Sequence, residues 1–253
     1  MEAPAAFTVA GPGTTVVASE RLTMLASHSG AWTAVQRIRL REEEIDDAVE
    51  AVRSFMRGTG TTIASWWLSE RSTPRTLEER LLAAGLHQVE GDYLIDGLLL
   101  TNAPPAAPPG IEARPVASAA EYVAASEAQY EAFGTPTERR HGRDLLTDEY
   151  ELVRDGGAGL VYCAWLDGEL AGAGRAWFAP RGVLLSGGCT LRWARSRGVY
   201  RALVRARWED AAARGTPALA VQAGSQSAPI LRRLGFEKIC RFRRLEDVAS
   251  DSG

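Results

Sequence analysis

Between Glu169 and Glu209 the chain carries Arg175, Arg181, Arg192, Arg195, Arg197, Arg201, Arg205 and Arg207, and not one acid. Within that stretch Gly198 directly precedes Val199, Ala202, Leu203 and Ala206, which are spaced as on one face of a helix. A strand running into a glycine that opens a helix suits a phosphate. The first-turn amides have no intrahelical partner, and the helix dipole adds positive potential. Gly198 lets backbone approach a ligand with no Cβ in the way. Arg195, Arg197 and Arg201 would surround such a group with planar forks that match phosphate oxygens. Arg205 and Arg207 read as surface residues of the same helix. No GxxxxGK[ST] run occurs, so this is not a P-loop.

The rest of the chain narrows the anion. A net charge of −3 over 253 residues argues against nucleic acid, which calls for a basic domain, and favours a small anionic ligand. Of 29 basic residues only Lys238 is lysine, a bias that reads with the Ala and Gly content as a GC-rich bacterial genome. Cys163, Cys189 and Cys240 form no CxxC pair, so neither a disulfide framework nor a metal site is expected. The start, MEAPAAFTVAGPGTT, lacks a basic region followed by an apolar run, and no apolar stretch reaches the roughly 20 residues that span a bilayer. The expectation is a cytoplasmic protein without membrane or nucleic-acid partners, a monomer or a homodimer.

The elements that must position these arginines follow from pattern. TNAPPAAPPG at 101–110 is rich in proline and predicts a stiff linker over 104–110. It separates an N-terminal domain, 1–103, from a C-terminal one, 111–253. In the second, Ser118 is a good N-cap for a helix through Tyr122, Ala125 and Tyr130 to Phe133, and a short helix follows in GTPTERRHGRDLL. Asp167-Gly168 between apolar runs predicts a hairpin, and VLLSGGCTL the next strand. After the Gly198 helix come a buried strand, ALAVQA, a short helix, and Gly235-Phe236 turning into a last strand. In the first domain REEEIDDAVEAVRSFMRG predicts a helix with Ile45, Val49, Val52 and Phe55 on one face and Gly58 as its stop. A strand, a second helix ending at Gly85-Leu86 and YLIDGLLL repeat the order of the other half, a weak internal repeat.

TLRWARSRGVYRALVRARWEDAAARG, followed by LAVQAGSQSAPILRRLGF, resembles the coenzyme A segment of the GCN5-related N-acetyltransferases (GNAT). That family binds the pyrophosphate of acyl-CoA on an [RQ]xxGx[GA] loop. The resemblance covers about residues 111–245. It implies an α/β (α+β) GNAT acyltransferase fold, a mixed central sheet flanked by helices, with a smaller, degenerate GNAT-like N-terminal domain. It implies that Cys189, Thr190 and Leu191 pair with pantetheine, that Arg195, Ser196, Arg197, Gly198, Val199, Tyr200 and Arg201 hold the pyrophosphate, and that Ser227 opens the next helix beside the cofactor. It implies acetyl-CoA as acyl donor, no metal, and a small-molecule amine as acceptor, with backbone amides near Thr190–Leu191 polarising the carbonyl.

The departures matter. Tyr200 stands where the family has a small residue, Leu231 where many members have a tyrosine acid, and Gly224 where an asparagine is frequent; GVLLSGG lacks the usual strand glutamate. A thiol of pKa near roughly 8.5 still leaves acceptably as thiolate. The base is therefore sought in YEAFGTPTERRHGRD. Tyr130, Glu131 and His141 are the catalytic candidates, with Glu138 beside them and Tyr162 and Ser186 on strands facing the cleft. Trp177 is a candidate liner of the acceptor cleft, and Cys189 reads as a core residue. Glu42, Glu43, Glu44, Asp46 and Asp47 at the first domain's helix start favour the dipole but repel a pyrophosphate, so that half is not expected to bind coenzyme A. The missing tyrosine and glutamate keep a non-catalytic acyl-CoA sensor or partner-binding module open as an alternative, alongside an acyltransferase with an unusual donor.

Overall fold

A computed structural model describes residues 14–27, 33–137, 140–156 and 159–249. The chain divides into two compact units. The first comprises Met1–Gly97 with Ala223–Gln226 and Ile239–Gly253, the second Leu98–Gln222 with Ser227–Lys238.

In the first unit, β1 (Thr14–Ala18), β2 (Thr23–Ser27) and β3 (Thr33–Gln36) form an antiparallel meander that sequence pattern did not reveal. Helix α1 (Ile45–Thr59) follows, then β4 (Ile63–Ser69), α2 (Leu77–Ala83), β5 (His87–Gln88) and β6 (Leu94–Leu100), whose last residues belong to the second unit. β3 and β4 are parallel, and the chain's last strand returns antiparallel to β4, Phe242 opposite Ser69 and Val248 opposite Ile63. The apolar stripe of α1 buries Ile45, Val49, Val52 and Met56 against Val35, Trp66, Leu68 and Leu245. Phe55, expected on that face, is only partly buried because Met56 takes the position one residue on. The helix ends on Gly60 at φ 70°, not at Gly58, since only the later glycine holds the left-handed cap. Its acidic start is neutralised locally. Arg41 N–H donates to Glu44 Oε2 at 3.0 Å, and Arg21 pairs with Glu44 Oε1 at 2.8 Å.

The second unit runs β7 (Ile111–Pro115), α3 (Ala119–Phe133), α4 (Arg143–Gly156), β8 (Gly159–Leu166), β9 (Glu169–Ala179), β10 (Gly182–Thr190), α5 (Val199–Ala213), β11 (Leu219–Ala223) and α6 (Ala228–Arg233) before β12 (Glu237–Val248). β7 to β10 are successively antiparallel, and β10 pairs parallel with β11. α4, expected as a short helix, has 14 residues. Ser118 caps α3 as expected, its Oγ accepting from Glu121 N–H at 3.2 Å.

Strand alternation assigns the two faces of this sheet to different helices. Val161, Cys163 and Ala173 pack on Tyr122, Val123 and Leu146 of α3 and α4. Tyr162, Gly172 and Gly174 face α5. Both glycines are needed for the close approach of that helix. A Cβ at Gly172 would fall 2.5 Å from Cys189 O and 3.0 Å from Val199 Cγ1, and one at Gly174 would fall 2.9 Å from Arg207 Nη1. Burial of Val199, Leu203 and Val204 then anchors α5, at about 1.5–3 kcal/mol for each side chain.

No helix among the described residues is long and apolar enough to cross a membrane, and no cluster of potential metal ligands occurs among them.

Candidate functional site

β10 and α5 build the candidate donor site within the second unit. The β10–β11 ladder runs from Val183↔Leu219 to Leu185↔Val221 and goes no further among the described residues, which leaves the β10 edge from Ser186 to Thr190 without a strand partner on that side. On the other edge the register with β9 breaks between Ser186 and Cys189, a bulge. Gly187 makes it possible, at φ 58°, and Gln129 on α3 fixes it, donating Nε2–H to Gly187 O at 2.6 Å.

Beyond β10 the residues 192–194 make one 3-10 turn, and Arg195 to Gly198 lead into α5. Ser196 at φ 64° and Gly198 at φ 90° are both left-handed. That alternation of handedness turns successive amides toward a concavity suited to an anion. Arg195 and Arg197 are exposed and Arg201 is half-buried. Two polar atoms here are buried with no hydrogen-bond partner, Thr190 Oγ1 and Arg201 Nε. Buried polar atoms are usually satisfied, so these fit a polar ligand at the β10–α5 junction.

Other features differ from expectation. The arginines are not wholly unopposed, because Arg197 Nη2 lies 3.2 Å from Asp167 Oδ2 and Arg205 pairs with Glu209. Pro108 packs on Gly198, so a Cβ there would come 2.4 Å from Pro108 Cγ, and Arg205 Nη1 donates to Pro104 O. The proline segment thus lies on the loop it was expected merely to precede. The Leu191 N–H donates to Ala171 O at 2.9 Å and is not free to polarise a carbonyl. Val199 is a core residue, and the Tyr200 ring occupies the space beside Gly188, where a Cβ would lie 2.9 Å from the ring. Burial raises the Tyr200 phenol above its ordinary range. Ser227 stands at the start of α6, its carbonyl accepting from Leu231 N–H, and Leu231 is fully buried. Cys189 is buried in the α3-side core, and burial raises its thiol, which suits packing and not nucleophilic attack.

Arg207 overturns the surface reading most clearly. It is 1% exposed, donating to Leu203 O at 2.9 Å and Arg175 O at 3.3 Å, with Nη2 unpartnered. Gly174 provides the room that the sequence did not advertise.

The proton-handling groups lie on the α3–α4 face. His141 Nδ1 is 2.7 Å from Glu149 Oε1, the two side chains being 15% and 12% exposed. Tyr122 donates to Glu149 Oε2 at 3.3 Å, and Tyr130 Oη accepts from the His141 backbone N–H at 3.1 Å. Burial alone would raise the Glu149 carboxyl. The His141 hydrogen bond and charge, with Arg175 and Tyr122, outweigh it and hold the group below its ordinary range. Tyr130 and His141 are therefore brought together. Glu131 is exposed on α3 and outside this network, and Glu138 lies outside the described residues. Tyr162 is not in the cleft. It is buried on the α5 face, donates to Asp210, and has its phenol raised by burial. Trp177 and Ser186 do share the α3–α4 side, joined by an Nε1–H to Oγ bond of 3.0 Å. Glu149 and Gln129 were missed because nothing in DEYELV or EAQYEAF distinguishes an inward polar residue from an exposed one.

No family model matches the chain, and neither does any curated protein. Solved structures do. A GCN5-related N-acetyltransferase from Kribbella flavida is 19% identical, with 95% of this chain and 91% of that one covered at a TM-score of 0.70. A tandem GNAT protein from the clavulanic acid biosynthesis pathway is 18% identical, with 96% and 86% covered at 0.64. A GCN5-related N-acetyltransferase from Sphaerobacter thermophilus is 17% identical, with 91% and 81% covered at 0.64. The mixed sheet flanked by helices and these likenesses agree: the chain has the fold of the GCN5-related N-acetyltransferases.

Proposed function

We propose that this protein is an acyl-CoA-dependent N-acyltransferase, with acetyl-CoA as donor and a small amine as acceptor. The observation that carries the reading is the Arg195–Gly198 loop, with two left-handed residues at the start of a 15-residue helix, beside an open strand edge. Arg195, Arg197 and the first-turn amides of α5 would hold the diphosphate, with Arg201 Nε behind them. The β10 edge from Ser186 to Thr190 would pair with the pantetheine amides, with Thr190 Oγ1 as a further polar contact. When bound, acyl-CoA supplies a thioester carbonyl for attack and a thiolate that leaves.

The chain's residues supply positioning and proton transfer. An ionised Glu149 holds the His141 Nδ1–H, leaving Nε2 with the lone pair that takes a proton from the acceptor ammonium. Tyr130 fixes the His141 backbone, and Gln129, the preceding residue on α3, fixes the β10 bulge at Gly187. One helix end therefore ties the proton acceptor to the strand expected to carry the thioester. Orientation would provide much of the rate.

The first unit is proposed as a degenerate GNAT-like half. Its likeness to a tandem GNAT protein over nearly the whole chain supports this. So does the helix start at Glu42–Glu44, whose acids are engaged by Arg21, Arg41 and Arg80 and offer no anion site. A sensor without activity is the second reading, favoured by the fully buried Leu231 where a tyrosine acid would stand. Release of free thiol from acetyl-CoA across an amine panel separates the two. Steady turnover supports the enzyme; saturable acetyl-CoA binding with no turnover of any amine supports the sensor.

A further inference from the structure

Arg175 is half-buried on β9, and among the described residues no carboxylate stands within ion-pairing distance of its guanidinium. Its Cζ lies 5.5 Å from the Tyr122 ring centre, on the α3–α4 face. Glu149, the acid on that face nearest in effect, is turned to His141 at 2.7 Å, and Arg175 touches it only through its charge. Two residues along the same strand and on the same face stands Trp177, 36% exposed. Its indole packs against Gly159, where a Cβ would lie 2.8 Å from Cε3, and its Nε1–H is spent on Ser186 Oγ. The crevice that Arg175 and Trp177 share with Val153 and Leu160 has a volume of about 10 Å³, room for one water. A ligand would therefore lie across its mouth and not inside it.

An arginine with no carboxylate ion pair among the described residues, its charge reaching Glu149 only at longer range, and an indole whose Nε1–H is already engaged make a complementary pair. The first suits a planar anion, the second an apolar body. The geometry points to an acceptor amine that also bears a carboxylate, an amino-acid-like molecule whose carboxylate pairs with Arg175 and whose side chain lies on Trp177. This rests on the acyltransferase reading for the amine's fate, but the anion subsite stands on the residues of the α3–α4 face alone.

The test is therefore a binding measurement that needs no turnover. A series of N-acetyl amino acids, apolar and aromatic, and their carboxamide counterparts are titrated calorimetrically into the full chain with coenzyme A present. The inference predicts that at least one acid binds about ten- to a hundredfold more tightly than its amide, as a charge-assisted pair at a half-buried site should. Arg175→Gln should abolish that preference without weakening the amide, and Arg175→Lys, which keeps the charge and loses the fork, should fall between. Thermal melts of both variants establish that each is folded. Amides that bind as well as the acids throughout the series, or an acid preference that survives Arg175→Gln, would overturn it. Absence of acetyl-CoA turnover in the presence of this binding pattern would defeat the acyltransfer reading and leave the subsite standing.

Discussion

His141 Nδ1 lies 2.7 Å from Glu149 Oε1, in a pair built from the α3–α4 connection and α4 itself. The contact sets the imidazole tautomer and orients the ring. Because Glu149 positions the His141 proton acceptor, replacing it by Gln should lower kcat by up to the about 10²- to 10⁴-fold that a positioned general base contributes, with acetyl-CoA affinity unchanged. An equal loss of donor affinity would show that Glu149 acts only in holding the fold.

The same carboxylate makes stability depend on acid. Folding lowers the Glu149 pKa, so the unfolded chain binds this proton more readily than the folded one. The resulting stability is present in full above the ordinary carboxylate value of 4.5 and is lost as pH falls through the lower folded value. Melting temperatures measured from pH 7 down to pH 3 should drop less steeply for Glu149→Gln than for the wild type. Parallel curves would contradict the assigned pairing.

Among the described residues Asp167 is the one acid that pairs with the candidate donor loop, 3.2 Å from Arg197 with both groups exposed. It competes with a diphosphate for that guanidinium. An exposed pair of this kind is worth about 0.2–1 kcal/mol. Asp167→Asn should therefore tighten acetyl-CoA binding by up to about fivefold, and the gain should shrink at high salt. Weaker binding in the variant would mean that Asp167 orients the loop instead.

How far the sequence anticipated this molecule can be judged from Gly198 and Arg207. Gly198, opening an apolar-periodic helix after a strand, marked the candidate donor loop because a left-handed turn and a helix start leave local signatures. Arg207 carried no such mark. Its burial depends on Gly174, 33 positions earlier on strand β9, and only the pairing of sheet and helix brings the two together. Glu149 and Gln129 were hidden for the same reason: an inward polar side chain on a helix is recognised by what it meets. The strands β1 to β3 escaped notice because their short runs alternate weakly.

Arg207 offers a stability test. A fully buried guanidinium with no carboxylate ion pair among the described residues and one unpartnered nitrogen is costly to desolvate. Arg207→Met, which keeps much of the volume, should be neutral or stabilising by about 1–4 kcal/mol in denaturant melts. Arg207→Ala should destabilise by leaving a cavity over Gly174. A strongly destabilised methionine variant would show that the bonds to Leu203 O and Arg175 O outweigh desolvation.

The most direct measurement is calorimetric titration of acetyl-CoA into the wild type and into an Arg195→Ala, Arg197→Ala double variant. Saturable binding by the wild type, weakened at least about tenfold by the double substitution, is the predicted result, since each charge-assisted phosphate contact is worth about 1.5–3 kcal/mol. Affinity that survives both substitutions, or a wild type that binds no acetyl-CoA, would contradict the donor site assigned to the loop before α5.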